Sequence, residues 1–202
     1  MGLREDKKAR MRAELYETAR RLFAERGYEE TRIRDIIEAV GVSEATFFNY
    51  FPTKGALLDQ SAAEFKSYYS VFLQHLVARG TEPTADRIRE LVGVVGSVVM
   101  AQRNLMATVV GSTDLLFGAS GPTKALDLEN FDLLAEIFRQ GQATGEIDAQ
   151  PDPLQLAEIV ASVQMLTINN WLTGWWGDVG PLEPRLAAAI DVVLDGCLAP
   201  AS

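Results

Sequence analysis

The chain has 202 residues, 48% of them apolar and 23% charged, enough to bury the core of one large or two small domains and too apolar for a disordered chain. Its single cysteine, Cys197, excludes an intrachain disulfide framework, and its single histidine, His75, excludes a histidine-rich metal centre. The net charge of −9 is unevenly placed: residues 1–60 hold eleven basic and eleven acidic side chains, so the whole excess lies in residues 61–202.

At the start of the chain, Arg4, Lys7, Lys8, Arg10 and Arg12 face only Glu5 and Asp6 and make a basic arm. No apolar stretch of a secretory signal follows them, and the longest nearly apolar run, residues 91–101, is too short to span a bilayer. A cytoplasmic protein with no membrane partner is expected. Met11, Leu15, Ala19, Leu22 and Phe23 give the buried stripe of a first helix over about 8–26, which Gly27 ends. Thr31 is expected to cap a second helix, on which Ile33, Ile36, Ile37 and Val40 recur at helical spacing. Gly41 breaks that helix, Val42 plugs the turn, and Ser43 caps a short aromatic helix over 44–50 that Pro52 closes. A helix, a glycine turn and a capped helix make a helix-turn-helix, whose second helix enters the DNA major groove.

The resemblance extends beyond that motif. Leu22-Phe23, Gly27-Tyr28, Thr31-x-Ile33, Ile36, Gly41-Val42-Ser43, Thr46, Tyr50-Phe51 and Lys54 together resemble the DNA-binding domain of the TetR family of transcriptional regulators. The likeness implies that the region around Thr31 touches phosphate and that Lys54 adds a phosphate contact. Phe48 stands where the family usually has tyrosine, so one phosphate-directed hydroxyl is missing. On the residues themselves, Arg34 either contacts DNA or pairs with Glu38 one turn on. Glu44, Ala45 and Thr46 at the front of the helix Ser43 caps are placed to read base edges, with Asn49 and Tyr50 at the groove edge.

From Lys54 a long helix is expected to run to about Ala78, followed by a break at Gly80–Pro83. The hydrophobic beat then stays helical over roughly 84–101, 103–116, 122–143, 153–175 and 183–198. The expected fold is all-α: a three-helix DNA-binding domain over 1–53 and a larger helical domain over 54–202.

For the larger domain the resemblance implies an inducer cavity and a dimer interface made by the last two helices. Met100, Leu105, Met106, Val109, Phe117, Phe131, Leu134, Phe138 and Met165 are the candidate lining, since methionine and aromatic side chains suit an adaptable apolar pocket. Gln164, Thr167, Asn169 and Asn170 are polar positions on an otherwise greasy helix and, if buried, need partners, a ligand or the other subunit, with Asn169 a candidate ligand contact. Trp175 and Trp176 are candidates for a pocket rim. Leu156, Val160, Val163, Trp171, Leu186, Ile190, Val193 and Leu194 are the expected interface, because helices apolar on two faces are buried on two sides. Two recognition helices must also meet successive major grooves, which calls for a homodimer on a palindromic operator in double-stranded DNA.

No phosphate-cradling glycine loop, Cys/His cluster or serine with a base is present, so an enzyme is not expected, nor a cofactor. The expected function is a repressor released by a small apolar inducer. The rival is a DNA-binding regulator with no small-molecule control, which predicts a solid core in place of a cavity.

Overall fold

The computed structural model describes residues 2–111 and 124–197, all of whose regular elements are helices. In chain order they are α1 (Leu3–Arg26), α2 (Ile33–Val40), α3 (Glu44–Tyr50), α4 (Gly55–Ala78), α5 (Thr84–Ala101), α6 (Arg103–Gly111), α7 (Lys124–Thr144), α8 (Pro153–Thr173) and α9 (Leu182–Cys197). The basic arm differs from expectation. Glu5 and Asp6 put negative charge on the first turn, where a helix N-terminus favours it, and α1 is helical from Leu3.

The first three helices close over Leu15, Ala19, Leu22, Phe23, Ile36, Phe47 and Phe51, all buried. Gly41 ends α2 in the left-handed conformation at φ 78°, donating its N–H to Ile37 O, and so turns the chain into α3. The Ser43 hydroxyl accepts from Thr46 N at 3.2 Å and fixes the start of α3.

Thr31 does not cap α2. Its side chain is fully buried and its hydroxyl is satisfied by carbonyls, lying 2.8 Å from Gly27 O and 3.3 Å from Leu22 O. The capping role falls to Asp35, whose carboxylate accepts from Arg32 N at 2.7 Å.

In the larger part α4 lies along α7, α7 along α8, and α9 packs on both α8 and α5. Gly96 permits the close approach of α5 to α9, since a Cβ there would stand 3.2 Å from Leu186 Cδ1. Asp152 caps α8, accepting from Leu154 N at 2.7 Å, with Pro153 at the first helical position.

One buried cation ties the far end of α4 down. Arg87 of α5 is almost wholly buried; it donates to Leu76 O at 3.2 Å, to Gln140 Oε1 of α7 at 2.6 Å and to Thr84 Oγ1 at 3.3 Å.

The expected dimer-face residues divide in two. Leu156, Val160, Leu186, Ile190 and Leu194 are buried inside the chain itself, where α8 and α9 meet the rest of the body, so they present nothing to a partner. Val163, Trp171 and Val193 are half-buried. The outward large apolar positions on these helices are others: Leu154, Ile159, Leu166 and Val192.

Candidate functional site: a recognition helix and an apolar cavity

The α3 surface follows from its caps. Glu44, Ala45, Phe48 and Asn49 are exposed, while Phe47 turns fully inward against Phe51. Thr46 is half-buried, and its hydroxyl lies 2.9 Å from Ser43 Oγ, which leaves the methyl as its free feature. Tyr50 is half-buried, and its carbonyl accepts from Arg12 at 2.7 Å. Arg12, read from sequence as part of a basic arm, is thus a brace: it also donates to Gln60 Oε1 at 2.9 Å and sits 4.3 Å over the Phe51 ring. Arg34 takes the second of its two expected roles, pairing with Glu38 at 3.1 Å on the exposed face of α2.

Lys54 is another correction. Its ammonium donates to Tyr28 O and stands 3.9 Å over the Tyr28 ring, tying the start of α4 to the α1–α2 loop. Desolvation there lowers its pKa below the ordinary lysine value. Thr53 caps the same turn, accepting from Ala56 N at 3.1 Å. Together these explain the Pro52-Thr53-Lys54 run as the joint between α3 and α4. Thr31, buried, likewise offers no side chain to DNA.

The α4 helix also carries the link to the body. The Tyr16 hydroxyl of α1 donates to the Glu64 carboxylate at 2.9 Å and lies 3.0 Å from Ser61 Oγ, both on α4; burial, helped by Glu64, pushes its pKa up. Within two turns, α4 presents Phe65, Lys66 and Tyr69 to a cavity of about 110 Å³ that α5, α6, α7 and α8 complete. Of the expected lining, Met106, Phe131, Leu134 and Met165 are there, with Val95, Val99 and Ile168 beside them. Met100 is exposed on the surface, Phe138 is fully buried in the core away from the cavity, and Asn169 is not on its wall. The Asn169 carbonyl instead accepts from Thr173 Oγ1 at 2.8 Å. Phe117 lies outside the described residues. Trp175 and Trp176 are exposed and line neither space.

Leu105 and Val109 belong to a neighbouring cleft of about 280 Å³, which shares Phe65, Tyr69, Val95 and Met106 with the cavity. Its outer wall is made by Tyr16, Glu17 and Arg20 of α1. Four shared side chains therefore separate a deep apolar compartment from a cleft that reaches the DNA-binding head.

The deep cavity is not uniformly apolar. Lys66 and Asp127 form an ion pair of 2.7 Å on its wall, and Asn130 donates from Nδ2 to Lys66 O at 3.3 Å. Asn130 Oδ1 and Gln164 Oε1 are buried with no hydrogen-bond partner among the described residues. Sequence singled out Gln164 as a polar residue on a greasy helix. It missed Lys66 and Asn130, although both stand on inward helix faces, Lys66 beside Ala62, Ser70 and Leu73 on α4 and Asn130 beside Leu134 on α7.

Residues 15–60 match the family described as bacterial regulatory proteins, tetR family. The chain is 32% identical over 198 residues to the HTH-type transcriptional repressor KstR2 of Rhodococcus jostii, covering 96% of this chain and 94% of that protein. The chain belongs to the TetR family. Among solved TetR-family structures, the Thermus thermophilus repressor FadR, in complex with lauroyl-CoA, superposes with a TM-score of 0.70 at 24% identity, over 95% of this chain and 97% of that one. SmeT, the repressor of the SmeDEF multidrug efflux pump of Stenotrophomonas maltophilia, gives 0.74 at 15% identity, over 94% and 91%. The fold of this TetR-family chain is thus shared with a repressor solved with an acyl-CoA and with the repressor of a multidrug efflux pump.

Proposed function

We propose that the protein is a transcriptional repressor that binds a palindromic operator as a homodimer and leaves it when an apolar ligand enters the body. The observation that carries this reading is the cavity on α4, one to two turns from the Tyr16 contact that joins α4 to the head. A solid core at Met106 and Met165 would have favoured the rival without small-molecule control.

In the proposed complex α3 lies in the major groove. Glu44, Ala45 and the Thr46 methyl face base edges, Ser43, Asn49 and Tyr50 sit at the phosphate margin, and Arg34 reaches the backbone by exchanging its surface partner Glu38, a swap that costs little. The basic first turns of α1 give the neutral head its positive side, while the acidic body points away from DNA. The proposed dimer face uses Ile159, Val163 and Leu166 of α8, spaced to share one stripe, with Val192 and Val193 of α9. Residues 1–53 act as the reading head and 54–202 as the ligand-binding and dimerising body.

An apolar cavity of about 150 Å³ accepts benzene, and the deep compartment, at about 110 Å³, is smaller, so alone it takes no more than a short chain. With the adjoining cleft the space suits an elongated ligand, and the acyl-CoA bound by the FadR relative is one ligand of that shape. Ligand in the cavity acts on α4, and it can shift the DNA-free conformer by no more than its preference for that conformer.

The test is selection of a randomised DNA duplex pool on the full-length protein, followed by affinity measurements with and without lauroyl-CoA, a free fatty acid and a sterol. The expected site has two inverted half-sites about 10 base pairs apart, centre to centre, or a multiple. At least one ligand is expected to weaken binding tenfold or more. An enriched site lacking two-fold symmetry would overturn the dimer reading, and DNA affinity indifferent to every ligand would return control to the rival.

A further inference from the structure

The cavity's two unpaired oxygens bear on what fills it, an inference that rests on the ligand-control reading above. Asn130 and Gln164 are each 7% exposed, and both sit on the cavity wall. Among the described residues, Asn130 Oδ1 and Gln164 Oε1 have no hydrogen-bond partner. The Asn130 amide cannot simply turn over, because its Nδ2 is held by Lys66 O at 3.3 Å, so Oδ1 remains a buried acceptor on a residue of the cavity wall. Gln164 has no such tether, and its amide can offer either end. A buried carbonyl left unsatisfied is costly, and natural interiors supply a partner for nearly all of them.

The geometry points to a ligand whose buried end carries a hydroxyl: an apolar alcohol that donates to Asn130 Oδ1 and is met on its other side by Gln164. A plain hydrocarbon terminus would leave both oxygens unpaired. A carboxylate, having no donor, would face the Asn130 oxygen lone pair to lone pair. The hydroxyl also meets Asn130 at the point where α7 holds α4, since the same amide bonds Lys66 O. Recognition and the α4 response therefore share one residue.

The experiment is calorimetric titration of the full-length protein with two isomers of one formula, 1-octanol and heptyl methyl ether, which differ in the presence of a donor. The alcohol is expected to bind at least tenfold more tightly. Gln164→Met, which keeps length and loses the amide, is expected to reduce that preference several-fold, and Asn130→Leu to abolish it. Should Asn130→Leu fail to fold for want of its Lys66 bond, Gln164→Met and the wild-type comparison carry the test. Equal binding of the two isomers, or tighter binding of the ether, overturns the hydroxyl while leaving the cavity a ligand site. Binding of neither overturns both.

Discussion

The head and the body of this chain treat buried polar groups in opposite ways. In the head, among the described residues, none is left without a partner: Thr31 returns its hydroxyl to α1 carbonyls, and Tyr16 spends its own on Glu64. In the body, among the described residues, Arg87 Nε, Asn130 Oδ1 and Gln164 Oε1 are unpaired, and two of the three belong to residues that line an apolar space. A unit whose groups are satisfied internally has one arrangement to hold against DNA. Under the proposed function, a unit with unmet acceptors around a cavity has a second arrangement available, the one a ligand would complete. Rigidity serves reading, and incompleteness serves sensing.

That contrast can be broken most forcefully at Phe47. Its ring is fully buried between α3 and the rest of the head, so Phe47→Ala is expected to cost about 3–5 kcal/mol and to abolish DNA binding. Thermal unfolding followed beside DNA affinity checks it, and a stable variant that still binds would show that the head tolerates voids as the body does. Lys54→Ala is expected to cost about 1–2 kcal/mol through loss of the tie to Tyr28, while leaving the salt dependence of DNA binding unchanged. A fall in the slope of log affinity against log salt by about one would restore the phosphate contact and undo that assignment. The mildest change, Tyr16→Phe, removes the bond between α1 and Glu64 for about 1 kcal/mol. It is expected to spare operator affinity but blunt the ligand's effect on it. An undiminished ligand response would mean that the two regions communicate by another route.

The head was legible in the sequence because its signals are local. The glycine that must turn left-handed, the serine that caps three residues ahead and the aromatic run each act within one turn of where they stand. Thr31 was misread for the converse reason: a hydroxyl after a helix end can cap forward or bond back, and only the packing of α1 decides. The body was legible as helices and much less so as surfaces. A helix that is apolar on two sides shows both stripes alike, so Leu156 and Val160, which face the chain's own core, could not be told from Ile159 and Leu166, which face outward. The cavity wall was partly visible, since Met106, Phe131 and Met165 were expected there. Lys66 and Asn130 were not: each is a single polar residue within an apolar stripe, and a stripe such as that of Ala62 and Leu73 on α4 is read from its apolar members.

The buried Arg87 holds the last turn of α4 to α5 and α7, so that end of the helix is a pivot. From Leu76 to Gly55 is about 30 Å at 1.5 Å per residue. A rotation of about 5° around the Arg87 anchor therefore carries the opposite end by about 3 Å, comparable to the reach of a hydrogen bond. The cavity meets α4 part-way along that span, so a ligand need only nudge the helix by a fraction of the distance that the head then moves. A shift of about 1.3 Å at Lys66, where Asn130 holds α4, would become a mismatch between protein and groove, with the gearing set by where one arginine is buried.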